Sequence, residues 1–366
     1  MYKNLAATLV AACFFASASA QTTTPPTVAK SAPLKAAFVY LTPVLDAGWT
    51  RQHEEGRLQL NREMAGQVHT TAVDSVPEGP DAERVIRDLV NQGNQLIFTT
   101  SFGYMEPTLR VAKEFPGVKF ENITGYKQAD NVATANARYY EGRYLSGVAA
   151  GRMSQTGIAG FVAGFPIPEV VQGVNAFTLG MRSVNPKAQV KVVWLNTWFD
   201  PVLERDAAMA LMDQGADVLS FQVATTAVMA AAQERGKMAI AFHSDMRKDA
   251  PDAQLMAITH HWGDYYAARA KAVQDGTWKQ GDTWGGVKEG MVRMEHFGPK
   301  LPPAVRDEVL ARQKDIATGK LQPFHAVKAA VRDNQGKERI AKGAHLTDEQ
   351  LHHMDWLVEG VVGNVK

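Results

Sequence analysis

Cysteine is nearly absent: the 366-residue chain has one, Cys13. It lies in an apolar run, Leu5 to Ala16, near the N-terminus. A mature protein cut beyond it carries no disulfide, thiolate nucleophile or cysteine-ligated metal, and its stability must come from the apolar core. An excess of one charge is also missing. Lys and Arg number 39 against 38 Asp and Glu, spread without long blocks, so no electrostatic footprint for nucleic acid or an anionic membrane is present. Beyond the N-terminal run, no apolar stretch is long enough to span a membrane. The nucleophile elbow G-x-S-x-G, the phosphate loop G-x-x-x-x-G-K-[ST] and the dinucleotide fingerprint G-x-G-x-x-G do not occur, which argues against an enzyme without excluding one. His260-His261 and His352-His353 are adjacent pairs. Neighbours on a strand point to opposite faces, so neither pair chelates alone, and neither a metal nor a cofactor is expected.

The N-terminus has a recognisable design. Lys3 gives a basic start, the apolar run follows, and Ala18 and Ala20 precede Gln21, a pattern that predicts a secretory signal peptide over 1–20 and delivery to the periplasm. Val10-Ala11-Ala12-Cys13 resembles an acylation site only faintly, and the downstream A-x-A site is the better one. The polar, Pro-containing stretch 21–33 reads as a flexible linker.

From Leu34 short apolar runs alternate with helical patterns: Lys35–Leu41, Gly48–Ala65, Val68–Val73, Ala82–Gln92, Leu96–Thr99, and onward to Leu255–Thr259 and Asp264–Gln274. This rhythm predicts an α/β protein with parallel sheets built from right-handed βαβ units. Gly93, Gly215 and Gly236 each follow a helical pattern, where a left-handed residue is needed. About ten units are too many for one compact sheet, so two doubly wound lobes are expected. The expected division is 34–137 for the first lobe, 138–259 for the second, 260–290 returning to the first, and 291–366 packing mainly on the second. Helices are read over Pro302–Thr318 and Thr347–Val361, the latter with Thr347 as N-cap and Gln350 in the capping-box position.

In doubly wound folds the loops at the carboxyl ends of strands face the ligand crevice. Aromatic residues fall in several such turns: Trp49 after Asp46-Ala47-Gly48, Phe102 after Thr99, Trp198-Phe199 before Asp200-Pro201, and Trp262 after His261. Placed in both lobes, they could sandwich a flat ring on closure, or each could pack beneath its own loop. Asp46, Asp200 and Asp245 occupy similar turns. A carboxylate there either caps a helix or accepts hydrogen bonds from a ligand; capping is favoured for Asp200.

The run Tyr140-Glu141-Gly142-Arg143-Tyr144-Leu145-Ser146-Gly147-Val148-Ala149-Ala150-Gly151, followed by Gly157-Ile158-Ala159-Gly160-Phe161-Val162 and Asn175-Ala176-Phe177-Thr178-Leu179-Gly180, resembles the basic membrane protein family of ABC-transporter substrate-binding proteins. Val184-Asn185-Pro186, Gly215-Ala216-Asp217-Val218 and the closing Met354-to-Gly363 segment extend the likeness. It implies a type I periplasmic-binding fold: two Rossmann-like lobes joined by a hinge, with a purine base or nucleoside held between them. Asp46 and Trp49 match the family's acid and aromatic residue, Trp198 the second aromatic, and Asp245 a polar anchor. Tyr40 and His261 stand where nucleoside binders carry an aspartate and a lysine, so a free base such as adenine is favoured over a nucleoside. Asn122 replaces an acid of the family pattern and offers both donor and acceptor, or stabilises its turn. Tyr140 and Glu141 sit at the crossing between lobes, within expected reach of the cleft. The resemblance thus implies a monomeric importer component that hands its ligand to an ABC permease. A periplasmic sensor presenting its solute to a membrane receptor is the alternative, and a purine-nucleoside hydrolase using Asp46 and Asp245 a more distant one.

Overall fold

The computed structural model describes Met1 and residues 32–365, and the α/β fold occupies the unit Pro33–Lys366. The expected signal peptide beyond Met1, Cys13 and the expected linker as far as residue 31 lie outside the described residues. Five strands come first: β1 (Leu34–Val39), β2 (Val68–Val73), β3 (Leu96–Thr99), β4 (Lys119–Ile123) and β5 (Val132–Ala137). A second run comprises β6 (Ile158–Ala163), β7 (Gln189–Trp194), β8 (Val218–Gln222), β9 (Met238–His243) and β10 (Gln254–His260). They are followed by β11 (Asp282–Gly285), β12 (Val292–Glu295), a small β13–β14 pair (Val331–Arg332 with Glu338–Ile340) and β15 (Val361–Val362). The helices between them are α1 (Trp49–Glu63), α2 (Pro80–Asn91), α3 (Met105–Glu114), α4 (Tyr139–Met153), α5 (Pro168–Val184), α6 (Pro201–Asp213), α7 (Ala227–Glu234), α8 (Gly263–Gln274), α9 (Pro303–Ala317) and α10 (Asp348–His352).

Two large sheets result, ordered β11-β5-β4-β3-β1-β2 and β12-β10-β9-β8-β6-β7-β15. All pairings within them are parallel except β10 with β12. The central strands are buried and several are apolar along most of their length, for instance Ala36 to Val39 and Ala239 to Phe242, as expected of a sheet covered by helices on both faces. Strand order reverses between β1 and β3 in the first sheet and between β6 and β8 in the second. Those are the switch points at whose carboxyl ends a ligand crevice opens. The chain passes between the lobes at β5 to α4, at β10 to α8 and at β11 to β12.

The longest helix pair in the second lobe explains much of the glycine-rich pattern. A Cβ on Gly147 would stand 2.1 Å from the Phe177 carbonyl oxygen, and one on Gly180 would stand 2.0 Å from that of Tyr144. Both contacts are with backbone, so α4 and α5 lie against each other where only glycine fits. Gly93, Gly215 and Gly236 take positive φ values of 88°, 96° and 62° at their helix ends. Asp200 caps α6 by accepting from the Val202 and Leu203 N–H groups.

One element differs from expectation. The helix read over Thr347–Val361 begins at its predicted cap, with Thr347 and Gln350 closing a capping box, but ends at His352. Beyond it the chain is extended, because Asn175 on α5 donates to the Trp356 carbonyl (2.7 Å) and accepts from the Val358 N–H (2.8 Å). Those bonds pin backbone groups that a helix would use internally.

Helix propensity alone favours alanine over glycine by about 1 kcal/mol. At Gly180 the clash outweighs that preference, so Gly180→Ala is expected to lower stability by roughly 1–3 kcal/mol. A urea unfolding midpoint equal to or above that of the parent would contradict the close approach of the two helices.

Candidate ligand-binding cleft

The carboxyl ends of both sheets face one cavity, with about 500 Å3 of empty space including the part open to solvent. The first lobe supplies Leu41, Thr42, Trp49, Ser101, Phe102 and Thr124; the second supplies Ile167, Glu169, Trp198, Gln222, Val223, Ala224 and His243. Backbone strain collects at its edge. Thr124 and His243 directly follow or end strands β4 and β9 with φ of 72° and 71°, a conformation non-glycine residues seldom hold unless their surroundings enforce it.

Each aromatic wall is fixed from behind. The Trp49 indole donates to the Thr100 carbonyl at 2.8 Å and lies edge-on to His53 and His243. Trp198 rests on Phe165, with ring centroids 5.1 Å apart, and lies so close to Gly164 that a Cβ there would be 2.6 Å from the ring. Glycine at 164 therefore makes the seat for this indole.

The polar edge consists of Glu169 and Gln222. The Gln222 amide donates to Glu169 Oε1 at 2.7 Å, and Asn136, from the other lobe, donates to Oε2 at 3.3 Å. Behind them Arg143 is completely buried and donates to Ser220 Oγ (2.9 Å), the Phe221 carbonyl (2.6 Å) and Gln222 Oε1 (3.4 Å). Its guanidinium lies over the Phe242 ring, 3.3 Å from the centroid. Arg143 thus sets which way the Gln222 amide faces, and Gln222 presents its N–H to Glu169. Burial pushes the Glu169 carboxyl up to about 7, more than the Asn136 and Gln222 bonds and the Arg143 charge pull it down. A carboxyl so poised still has lone pairs free for a ligand's N–H groups.

The histidines beneath Trp49 are neutral. His53 and His260 are buried; His243 Nδ1 lies 2.8 Å from His260 Nδ1, and His53 Nδ1 lies 2.5 Å from the Tyr266 hydroxyl. Burial lowers all three, His53 to about 3.

Of the residues singled out in the sequence, the structure brings Trp49, Phe102 and Trp198 to the cavity. The others stand elsewhere. Asp46 is exposed and pairs with Lys248 across the lobes. Asp245 is not among the cavity's lining residues and is held by Arg247, Gln254 and His296. Asn122 lies beneath the β3 turn, donating to Thr99 and Ser101. Tyr140 and Glu141 line a separate recess with the C-terminal segment, and His261 and Trp262 border a groove against α1. Tyr40 turns to Glu54, at 3.1 Å. Glu169, Gln222 and His243 are cavity residues that the sequence reading does not single out. Glu169 stands in the first turn of α5, just past a strand-to-helix connection like those that flag the aromatics, and His243 is two residues from the chosen Asp245.

Contacts join the lobes around the cavity. Ser244 Oγ accepts from the Gly48 N–H (3.0 Å) and from the Gln52 amide (3.1 Å). Gly48, at φ 95°, approaches Ala224 so closely that a Cβ would lie 2.7 Å from its carbonyl oxygen. The lobes are therefore closed upon each other.

The sequence profile of the Bmp family, ABC transporter substrate-binding proteins of PnrA-like type, matches residues 34–330. The chain belongs to this family. Among Bmp relatives, a purine-binding protein of Brucella abortus (strain 2308) is 48% identical over 328 residues, covering 90% of this chain and 93% of the relative. A Haloferax volcanii protein, named as a candidate ABC transporter glucose-binding protein, is 35% identical over 288 residues, 79% of this chain and 73% of its own. The solved structure of an ABC transporter solute-binding protein from Conexibacter woesei superposes with a TM-score of 0.66 at 20% identity, covering 79% of this chain and 98% of that one, a likeness of fold. The Bmp protein thus has the type I periplasmic-binding architecture and is an ABC-system substrate-binding protein.

The raised Glu169 carboxyl gives a testable stability effect. Between its ordinary value of 4.5 and about 7 it keeps its proton when folded and loses it when unfolded. Its contribution is full below 4.5 and is lost as pH rises through about 7. Glu169→Gln is therefore expected to stabilise the ligand-free protein at pH 8, on the order of 1–3 kcal/mol, and to do little at pH 4.5. The three buried histidines act oppositely, losing stability as pH falls below 6.5, so the comparison is between variant and parent at each pH. Equal urea midpoint differences at both pH values would contradict the raised carboxyl.

Proposed function

We propose that this protein binds a free purine base, adenine foremost, in the periplasm and delivers it as a monomer to an ABC permease. The observation that carries the reading is the composition of the cavity: aromatic faces from both lobes, Trp49 and Phe102 on one side and Trp198 on the other, around a single carboxyl–amide edge. A flat, apolar ring with a few polar edge atoms complements such walls, and stacking on aromatic residues contributes about 1–3 kcal/mol per base. Stacking tolerates any base, so choice among purines falls to Glu169, Gln222 and the backbone around Thr124 and Ala224. An acceptor-only carboxylate rewards ring N–H and amino donors and penalises a bare carbonyl. The name of the Brucella relative points to the same ligand class.

The cavity also speaks against hydrolysis. Glu169 is the one carboxylate among its lining residues, and the two acids that a nucleoside hydrolase would require of this sequence, Asp46 and Asp245, are engaged in ion pairs elsewhere. The basic, apolar and A-x-A features of residues 1–20 support export to the periplasm.

Calorimetric titration with adenine, guanine, hypoxanthine, their nucleosides and glucose tests the reading. Tight binding of one base is expected, with Trp49→Ala and Trp198→Ala each weakening it by about 5- to 150-fold. Glu169→Gln should reorder the bases. Adenine affinity should fall as pH drops from 8 to 6 and the carboxylate gains its proton, a dependence absent in Glu169→Gln. Binding of glucose with no purine response would remove the assignment and leave the fold intact.

A further inference from the structure

The segment C-terminal to the family-matched region reaches the ligand cleft. Residues 331–365 lie beyond the match at 34–330, yet His352, at the end of α10, faces a second chamber of the cleft. This chamber shares Phe102, Thr124, Ile167 and Glu169 with the main cavity, so the two adjoin. Counted the same way, it holds about 310 Å3 of empty space against about 500 Å3 in the main cavity.

His352 is held in place rather than merely adjacent. Its ring stacks on Trp284, with centroids 4.2 Å apart and planes at 27°, and Nε2 lies 3.7 Å from Asp282 Oδ2. Trp284 and Asp282 belong to β11, the edge strand of the first lobe. The helix beneath the histidine is tied to both lobes. Asp348 takes a bidentate bond from Arg138 (2.9 and 2.6 Å), and the Leu351 carbonyl accepts from Gln172 on α5 at 2.7 Å. On its far side Arg138 lies over the same Trp284 ring, 4.2 Å from the centroid. An imidazole stacked on Trp284, close to Asp282 and carried by a helix anchored to both lobes makes a stiff wall for the small chamber.

We propose that His352 is a specificity-determining residue: it closes the outer chamber of the cleft, so that a bare base fits and a base carrying a sugar does not. The inference rests on the purine reading above. A ring held between Trp49, Phe102 and Trp198 and bonded to Glu169 directs a substituent on its Glu169 side into this chamber, whose walls include Glu169 itself. A ribose would then meet His352, and accommodating it means breaking the Trp284 stack.

The test compares adenine and adenosine in the parent, His352→Ala and His352→Phe, by calorimetry and by stopped-flow dissociation from tryptophan fluorescence. The parent is expected to prefer adenine at least 100-fold. His352→Ala should shrink that preference at least tenfold, chiefly by strengthening adenosine, and should speed adenine release several-fold. His352→Phe, which keeps a flat ring on Trp284, should restore the preference. A general loss of structure would weaken both ligands together and could not improve adenosine. If the parent binds adenine and the preference is the same in all three proteins, His352 is not the filter. If the parent binds no purine, the proposed function fails and this inference with it.

Discussion

A single buried cation organises the second lobe. Arg143 is enclosed in protein, and its desolvation would cost several kcal/mol if its donors were left idle. Its two terminal nitrogens are engaged instead by Ser220, the Phe221 carbonyl and Gln222, while the Phe242 ring lies against the guanidinium face. These partners come from β8 and β9, and Arg143 itself from α4, so its satisfaction requires a helix and two strands in register. Lysine could not replace it, because a point ammonium cannot donate in several in-plane directions and stack at once. The site inherits this rigidity. Gln222 is oriented by Arg143, Glu169 by Gln222, and the polar edge is set before any ligand arrives, which limits the ordering that binding must bring about.

Closure of the lobes builds on the same edge. Asn136, at the end of the first sheet, reaches Glu169 on α5, and Gly48 and Gln52 share Ser244. Each bond is modest, about 1 kcal/mol in net terms. Their placement matters more than their sum, since all join residues at the carboxyl ends of strands around the cavity. A ligand touching both walls adds to contacts that exist only when the lobes meet, and so shifts the hinge equilibrium by the difference in its affinity for the two states.

The alternation of strands and helices, the two lobes and the aromatic turns were legible in the sequence because each depends on local pattern. Period, glycine position and strand-to-helix turns follow from backbone geometry, and they put Trp49, Phe102 and Trp198 where the cavity has them. The acids were not legible. Asp46 and Asp245 occupy turns of the same kind, but each carboxylate is held by a cation, Arg247 beside Asp245 and Lys248, 202 residues distant, for Asp46. Glu169 reads as an ordinary first-turn acid of α5; only the approach of Asn136 and Gln222 from other strands reveals it as the polar edge. The run from Tyr140 to Gly151 that carries the family likeness proves to serve packing: Gly147 and Gly151 meet α5, and Gly142 meets Ile258.

That division has a physical basis with consequences for how such proteins diversify. A Cβ at Gly147 or Gly180 would collide with carbonyl oxygens, and an unpaired Arg143 would be a bare buried charge, so these positions tolerate little change whatever ligand is bound. The cavity-facing side chains lie at strand ends, helix starts and the connections between them, whose course is set by the sheets. Trp198, Glu169 and Phe102 can change without disturbing α4 against α5, and relatives whose names give a purine-binding protein and a candidate glucose-binding protein are each similar to this chain along most of its length. Similarity carried by the scaffold therefore fixes the architecture, while a few side chains at the strand ends, and what covers them, remain open to change.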